Sequence, residues 1–214
     1  MTVIVQKDGI FYADSRRVGH MGVATDDVVK ISVPPAGRDI EKYGKWDGEP
    51  ILAIAGSGSA DGIGAITQLL FDKGEDAVEF YRAMRSKGFA RSFDCNLIIV
   101  TANKAIGIIF NKTNDLASVR ISKYKRNERV VMGSGTAAAI MAGKFFRTDE
   151  IGLVCAAIAM TNTCGGNVMI HDTNVKGYRT TSRHYSHPRL RVAWGGLRIL
   201  ATKVGTWFNE FFPY

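Results

Sequence analysis

The sequence predicts an α+β fold: a four-layer sandwich, αββα, in which two antiparallel sheets lie face to face between helix pairs. Three observations carry this. Apolar and β-branched runs come in groups separated by tight-turn dipeptides. The groups alternate with pairs of helical periodicities, in the order strands, two helices, strands, two helices, strand. The alternating single strand and single helix of a doubly wound parallel sheet is missing.

The elements follow in order. Thr2–Val5 and Ile10–Ala13 are strand-forming runs around Asp8-Gly9, which reads as a hairpin. Val28–Val33 is a strand stopped by Pro34-Pro35, and Ala36–Pro50 reads as a polar loop. Ile51–Ala55 is a fully apolar strand running into the turn Gly56-Ser-Gly-Ser. A helix follows with Ile63, Ile66, Leu69 and Leu70 on one face, then a second with Ala77, Val78, Tyr81 and Met84. Strands are expected at Asn96–Val100, Ala105–Phe110, Leu116–Ile121 and Arg129–Met132. After Gly133-Ser-Gly135 comes an Ala-rich helix to about Met141. Thr148-Asp-Glu caps another over Ile151–Met160, and Asn167–Ile170 is a last strand.

The chain has 214 residues, 46% of them hydrophobic and 22% charged, which excludes a disordered or collagen-like chain. No apolar run is long enough for a membrane-spanning helix, and MTVIVQKDG lacks the basic and apolar regions of a secretory signal. Cys95, Cys155 and Cys164 are odd in number and form no CxxC, so a disulfide scaffold or zinc ribbon is not expected, and the cytoplasm is the expected compartment. The charge, +8 overall, is uneven: Asn174–Tyr214 holds seven Lys or Arg and only Glu210 as an acid. The chain therefore divides into a near-neutral domain, residues 1–173, and a basic C-terminal extension, residues 174–214.

Thr2 is the first candidate for chemistry. Removal of Met1, which aminopeptidases perform before a small residue, would leave one residue bearing both a hydroxyl nucleophile and a free α-amine. That amine has an ordinary pKa near 7.7–8.0 and can serve as general base. Asp14 closes a strand, and Lys30 sits within the apolar run Val28-Val-Lys-Ile31. A lysine in such a run needs a carboxylate partner or a lowered pKa, and Asp14 can be that partner. The bland alternative is an exposed strand lysine. Gly56 follows a buried strand, where a backbone N–H can face a ligand.

The ordered series Thr2-Val-Ile-Val, Ala13-Asp14-Ser-Arg16, Val29-Lys30-Ile31, Ala55-Gly56, Ser59-Ala-Asp61, Met132-Gly-Ser134-Gly135 and Cys164-Gly-Gly166 resembles the proteasome β-subunit family, and HslV-like peptidases most closely. The resemblance spans about Thr2 to Asn174. It implies the N-terminal-nucleophile (Ntn) hydrolase fold and a threonine peptidase. Thr2 would be nucleophile and base, Lys30 would tune it, Asp14 would pair with Lys30, the Gly56 N–H would form the oxyanion hole, and Ser134 would bond near the Thr2 amine. It implies peptide or unfolded-protein substrates, a homo-oligomeric ring, an ATP-dependent unfoldase as candidate partner, and no metal or cofactor. The sequence departs from the family in a shorter first hairpin, an extra residue in the glycine turn, a long Lys30–Gly56 loop, and no acid near Thr161 and Cys164.

Other readings are weaker. Gly133-Ser-Gly135-Thr-Ala-Ala138 imitates a dinucleotide fingerprint but lacks the βαβ unit and its acid. His171, His184 and His187 have no recognised metal spacing. The extension mixes Arg, Tyr and His over Tyr178–His187, which suits nucleic acid. Leu197, Leu200, Val204, Trp207, Phe208 and Phe211 then recur at helical spacing. A catalytically inactive scaffold binding nucleic acid or an acidic partner through this extension is the alternative function.

Overall fold

The computed structural model describes residues 2–18, 24–26, 28–34, 42, 44–86, 94–113, 116–146, 148–161, 164–175 and 180–183. Nearly all of the extension, with its helical stripe, lies outside the described residues, as do Met1, His184 and His187.

The chain opens with β1 (Val3–Lys7) and β2 (Ile10–Asp14), joined by Asp8-Gly9 with φ of 54° and 76°. Two positive φ values in succession match the right-handed twist of a hairpin. Short strands follow: β3 (Arg17–Val18), β4 (Ala24–Thr25), β5 (Ile31–Ser32), β6 (Lys45–Trp46) and β7 (Glu49–Pro50). Next are β8 (Ala53–Gly58), α1 (Ala60–Lys73), α2 (Asp76–Ser86), β9 (Cys95–Val100), β10 (Lys104–Thr113), β11 (Leu116–Lys125) and β12 (Val130–Gly133). The chain continues with α3 (Thr136–Phe146), α4 (Glu150–Met160), β13 (Val168–Asp172) and β14 (Thr180–Arg183).

Two five-stranded antiparallel sheets form, ordered β12-β1-β2-β13-β14 and β11-β10-β9-β8-β5. Strand alternation sorts the apolar residues. Val3 and Val5 of the first sheet pack with α3 and α4 through Ala139, Leu153 and Val154. Their neighbour Ile4 faces the other way, joining Phe11, Ala55, Ile98 and Val100 in a second apolar layer between the sheets. The second sheet buries Leu97, Ile99 and Ile108 against Ile66, Leu70 and Tyr81 of α1 and α2. The fold is thus α+β, with α3 and α4 packed on the first sheet and α1 and α2 on the second.

Several expectations need correction. The strand expected over Val28–Val33 shrinks to Ile31–Ser32, because the Val28 N–H leaves the sheet to donate to the Ser15 carbonyl, at 2.9 Å. The presumed glycine turn at Gly56-Ser-Gly58 continues β8. The presumed loop before Pro50 contains a hairpin turning on Asp47-Gly48, with φ of 47° and 80°. β14 pairs with β13, so the first sheet runs past residue 173 into the segment read as an extension.

At the hairpin end, Arg126 ties the two sheets together. Its guanidinium lies where a Cβ of Gly9 would be and donates to the carbonyls of Thr101 and Ala102, to Thr173 Oγ1 and to Asn174 Oδ1. The three cysteines are buried and form no disulfide. No helix among the described residues is long and apolar enough to cross a membrane.

Candidate active site

The opposite end of the sheets holds the candidate site. Thr2 precedes β1 and lies beside the end of β12, where Gly133 pairs with Val3. Gly133 has φ of +103°, and a Cβ there would stand 2.1 Å from the Thr2 carbonyl oxygen, so only glycine lets β12 pass this close. The turn into α3 then wraps the residue. The Thr2 carbonyl accepts from the Gly135 N–H at 3.2 Å, and the Thr2 nitrogen donates to Ser134 Oγ at 3.0 Å.

Asp14, at the end of β2, is fully buried. Its Oδ1 accepts from the Val3 N–H at 2.9 Å and from Lys30 Nζ at 2.8 Å, and its Oδ2 accepts from the Gly165 N–H at 3.1 Å. One carboxylate therefore fixes the residue after Thr2, the lysine from the facing sheet and the loop before β13. Lys30 is a buried cation, its side chain 7% exposed. Burial pushes its pKa below the ordinary lysine value, with Asp14 opposing that shift. The exposed-lysine reading is thereby excluded.

Thr2 and Lys30 line a cleft of about 580 Å³ together with Val28, Ser32, Gly58 and Ile63. The rim carries Arg16, whose guanidinium grips Asp26 through both carboxylate oxygens, at 2.8 and 3.1 Å. This pairing raises the Arg16 pKa and lowers that of Asp26. Arg16 rests on Gly165, where any Cβ would collide with the guanidinium. Near Thr161 and Cys164, the Thr161 hydroxyl donates to the Ala157 carbonyl at 2.8 Å and accepts from the Cys164 N–H at 3.3 Å.

Of the five residues singled out from sequence, the structure gathers Thr2, Asp14, Lys30 and Ser134. Gly56 lines the same cleft, but its N–H donates to the Lys30 carbonyl at 3.1 Å and is consumed by the sheet. Amides alternate along a strand. The Ser59 N–H turns to Asp94 on the β9 side, which leaves the Gly58 N–H on the β5 side, beyond the last rung of β5. Gly58 has φ of +117°, and a Cβ there would meet the Asp94 carbonyl at 2.3 Å. Gly58 is the site residue that sequence reasoning missed; its signal was the second glycine of Gly56-Ser-Gly58. Gly165 was visible only as part of a motif, without a role.

No family model matches the sequence, and no curated protein matches it. Among solved structures, the chain is similar to Thiobacillus denitrificans BPH in complex with epoxomicin. The match covers 86% of this chain and 99% of that one, at 15% identity and a TM-score of 0.51. At that identity the likeness speaks to the fold alone.

Proposed function

We propose that the chain is an N-terminal threonine amidohydrolase with the four-layer architecture of Ntn hydrolases, acting on peptide bonds. One observation carries the reading: the Thr2 nitrogen, Ser134 Oγ, the Asp14 carboxylate and Lys30 Nζ converge where Thr2 lines a cleft. The fold likeness to Thiobacillus denitrificans BPH, solved in complex with epoxomicin, supports it.

The chemistry follows from these contacts. With the preceding residue removed, the Thr2 amine keeps its N–H donated to Ser134 Oγ, and its lone pair takes the proton from the Thr2 hydroxyl. The oxygen attacks the substrate carbonyl. The Gly58 N–H receives the developing oxyanion, the role for which Gly56 has no free amide. Lys30, cationic against Asp14, stabilises the alkoxide as it forms. The amine returns its proton to the leaving nitrogen, and water then hydrolyses the ester.

Incubation with an electrophilic peptide warhead followed by intact-mass and peptide mapping tests this. An adduct on Thr2 is expected, lost in Thr2→Ala and in Lys30→Ala. A chain that retains Met1, or that takes no adduct on Thr2, would sink the catalytic claim. The scaffold alternative depends on a basic extension that lies almost wholly outside the described residues, and no described feature favours it.

A further inference from the structure

The outer face of α3 carries a row of exposed apolar side chains: Ile140, Met141 and Phe145, at 43, 49 and 64% exposure. Met160, at the end of the antiparallel neighbour α4, is 53% exposed and lies toward the start of α3. Residues spaced by one, four and five positions share one face of a helix. On α3 that face also takes in Ala137 and carries Lys144 among the apolar side chains, with Thr136 at its edge, and apolar patches of this kind mark a contact surface. We infer that the C-terminal segment of the same chain covers this face, through the stripe Leu197, Leu200, Val204, Trp207, Phe208 and Phe211.

The path of the chain supports that occupant. β14 ends at Arg183, whose rung is Val168 and, across β13, Asp14. The chain thus leaves the first sheet at the end where α4 finishes and α3 begins. From β14 to β12 is four strand spacings, about 19 Å. Residues 184–196, extended, reach about 43 Å. A helix over 197–211 would measure about 22 Å, enough to run the length of the 11-residue α3, about 16 Å. Tethering also keeps the segment at an effective concentration in the millimolar range, which favours the same chain over a second copy.

The test places the photo-crosslinking residue p-benzoylphenylalanine at position 145 of the full-length protein. The protein is prepared as a mixture of ¹⁴N and ¹⁵N chains so that mass spectrometry separates links within a chain from links between chains. The expected result is cross-linking from position 145 to residues 197–211 within one chain. Amide exchange over 197–211 should also accelerate at least tenfold in Phe145→Glu, a change at a solvent-facing position. Cross-links to α3 of another copy would make the face a self-association surface. Links to 197–211 of another copy would make the docking intermolecular, and no link to that segment would leave the face uncovered by it. Each of these overturns the inference. Because the cross-link and the exchange rate are read without activity, the outcome is independent of the chemistry proposed for Thr2.

Discussion

Replacing Asp14 with Asn removes one charge and almost no volume, and its effect can be worked from the contacts. The carboxylate accepts three bonds, from the Val3 N–H, Lys30 Nζ and the Gly165 N–H, while fully buried. The amide keeps one acceptor oxygen but turns an NH₂ toward another donor, and it leaves the Lys30 cation unpaired. Losing one partner of a buried ion pair costs about 3–5 kcal/mol. Lys30→Met should cost less, about 1–3 kcal/mol, because Asp14 keeps its two backbone donors. The double variant should cost less than the two singles combined by at least about 1 kcal/mol, since the stranded lysine is gone. Urea unfolding is the assay: with a slope of about 2–3 kcal/mol/M, Asp14→Asn should lower the midpoint by about 1–2 M. A shift of Asp14→Asn below about 0.3 M, or strict additivity in the cycle, would refute the view of Asp14 as a buried anchor.

Three further outcomes are expected. Gly58→Ala forces a Cβ against the Asp94 carbonyl at a φ of +117°, whereas a Cβ at Gly56 meets the Ile63 and Leu97 side chains rather than backbone. Thr2 labelling should therefore slow more in Gly58→Ala, and the reverse order would return the oxyanion role to Gly56. His171 is fully buried, and burial lowers its pKa below the ordinary 6.5, so its stabilising contribution holds above that value and drains away as pH falls. Urea midpoints should drop as pH falls below about 6.5, and a wild-type slope in His171→Leu would contradict this. Burial and Asp94 push the Cys95 thiol up to about 12. No cysteine should react quickly with a thiol reagent in the native protein, all three should react in denaturant, and fast native labelling would count against the buried placement.

Where local physics decided the structure, the sequence was legible. Asp8-Gly9 announced its hairpin, and the helical faces of α1 and α2 followed their periodicity into the packing against the second sheet. The second Asp-Gly, at 47–48, makes the same turn between strands of only two residues each, too short to show a period. Lys30 could not be read alone: a lysine amid valines is equally an exposed residue until a carboxylate from the facing sheet is seen beside it. The amide left open at the cleft lies two residues beyond the one expected, for a related reason. Which amide is free depends on how far β5 follows β8, and that depends on Val28 bonding to Ser15 instead. Ser134 was readable only as one member of an ordered series, because its partner is 132 positions away.

Arg126 at one end and the Lys30–Asp14 pair at the other make the two sheets a frame braced at both ends. Each brace is a long cationic side chain reaching groups that other elements present, and between them lies the dry layer around Ile4, Phe11 and Ile98. At the cleft end the same Asp14 carboxylate holds both the residue after Thr2 and the Lys30 cation. On the proposed reading, an incoming carbonyl would meet dipoles already aimed, with the reorganisation that water would demand completed when the chain folded.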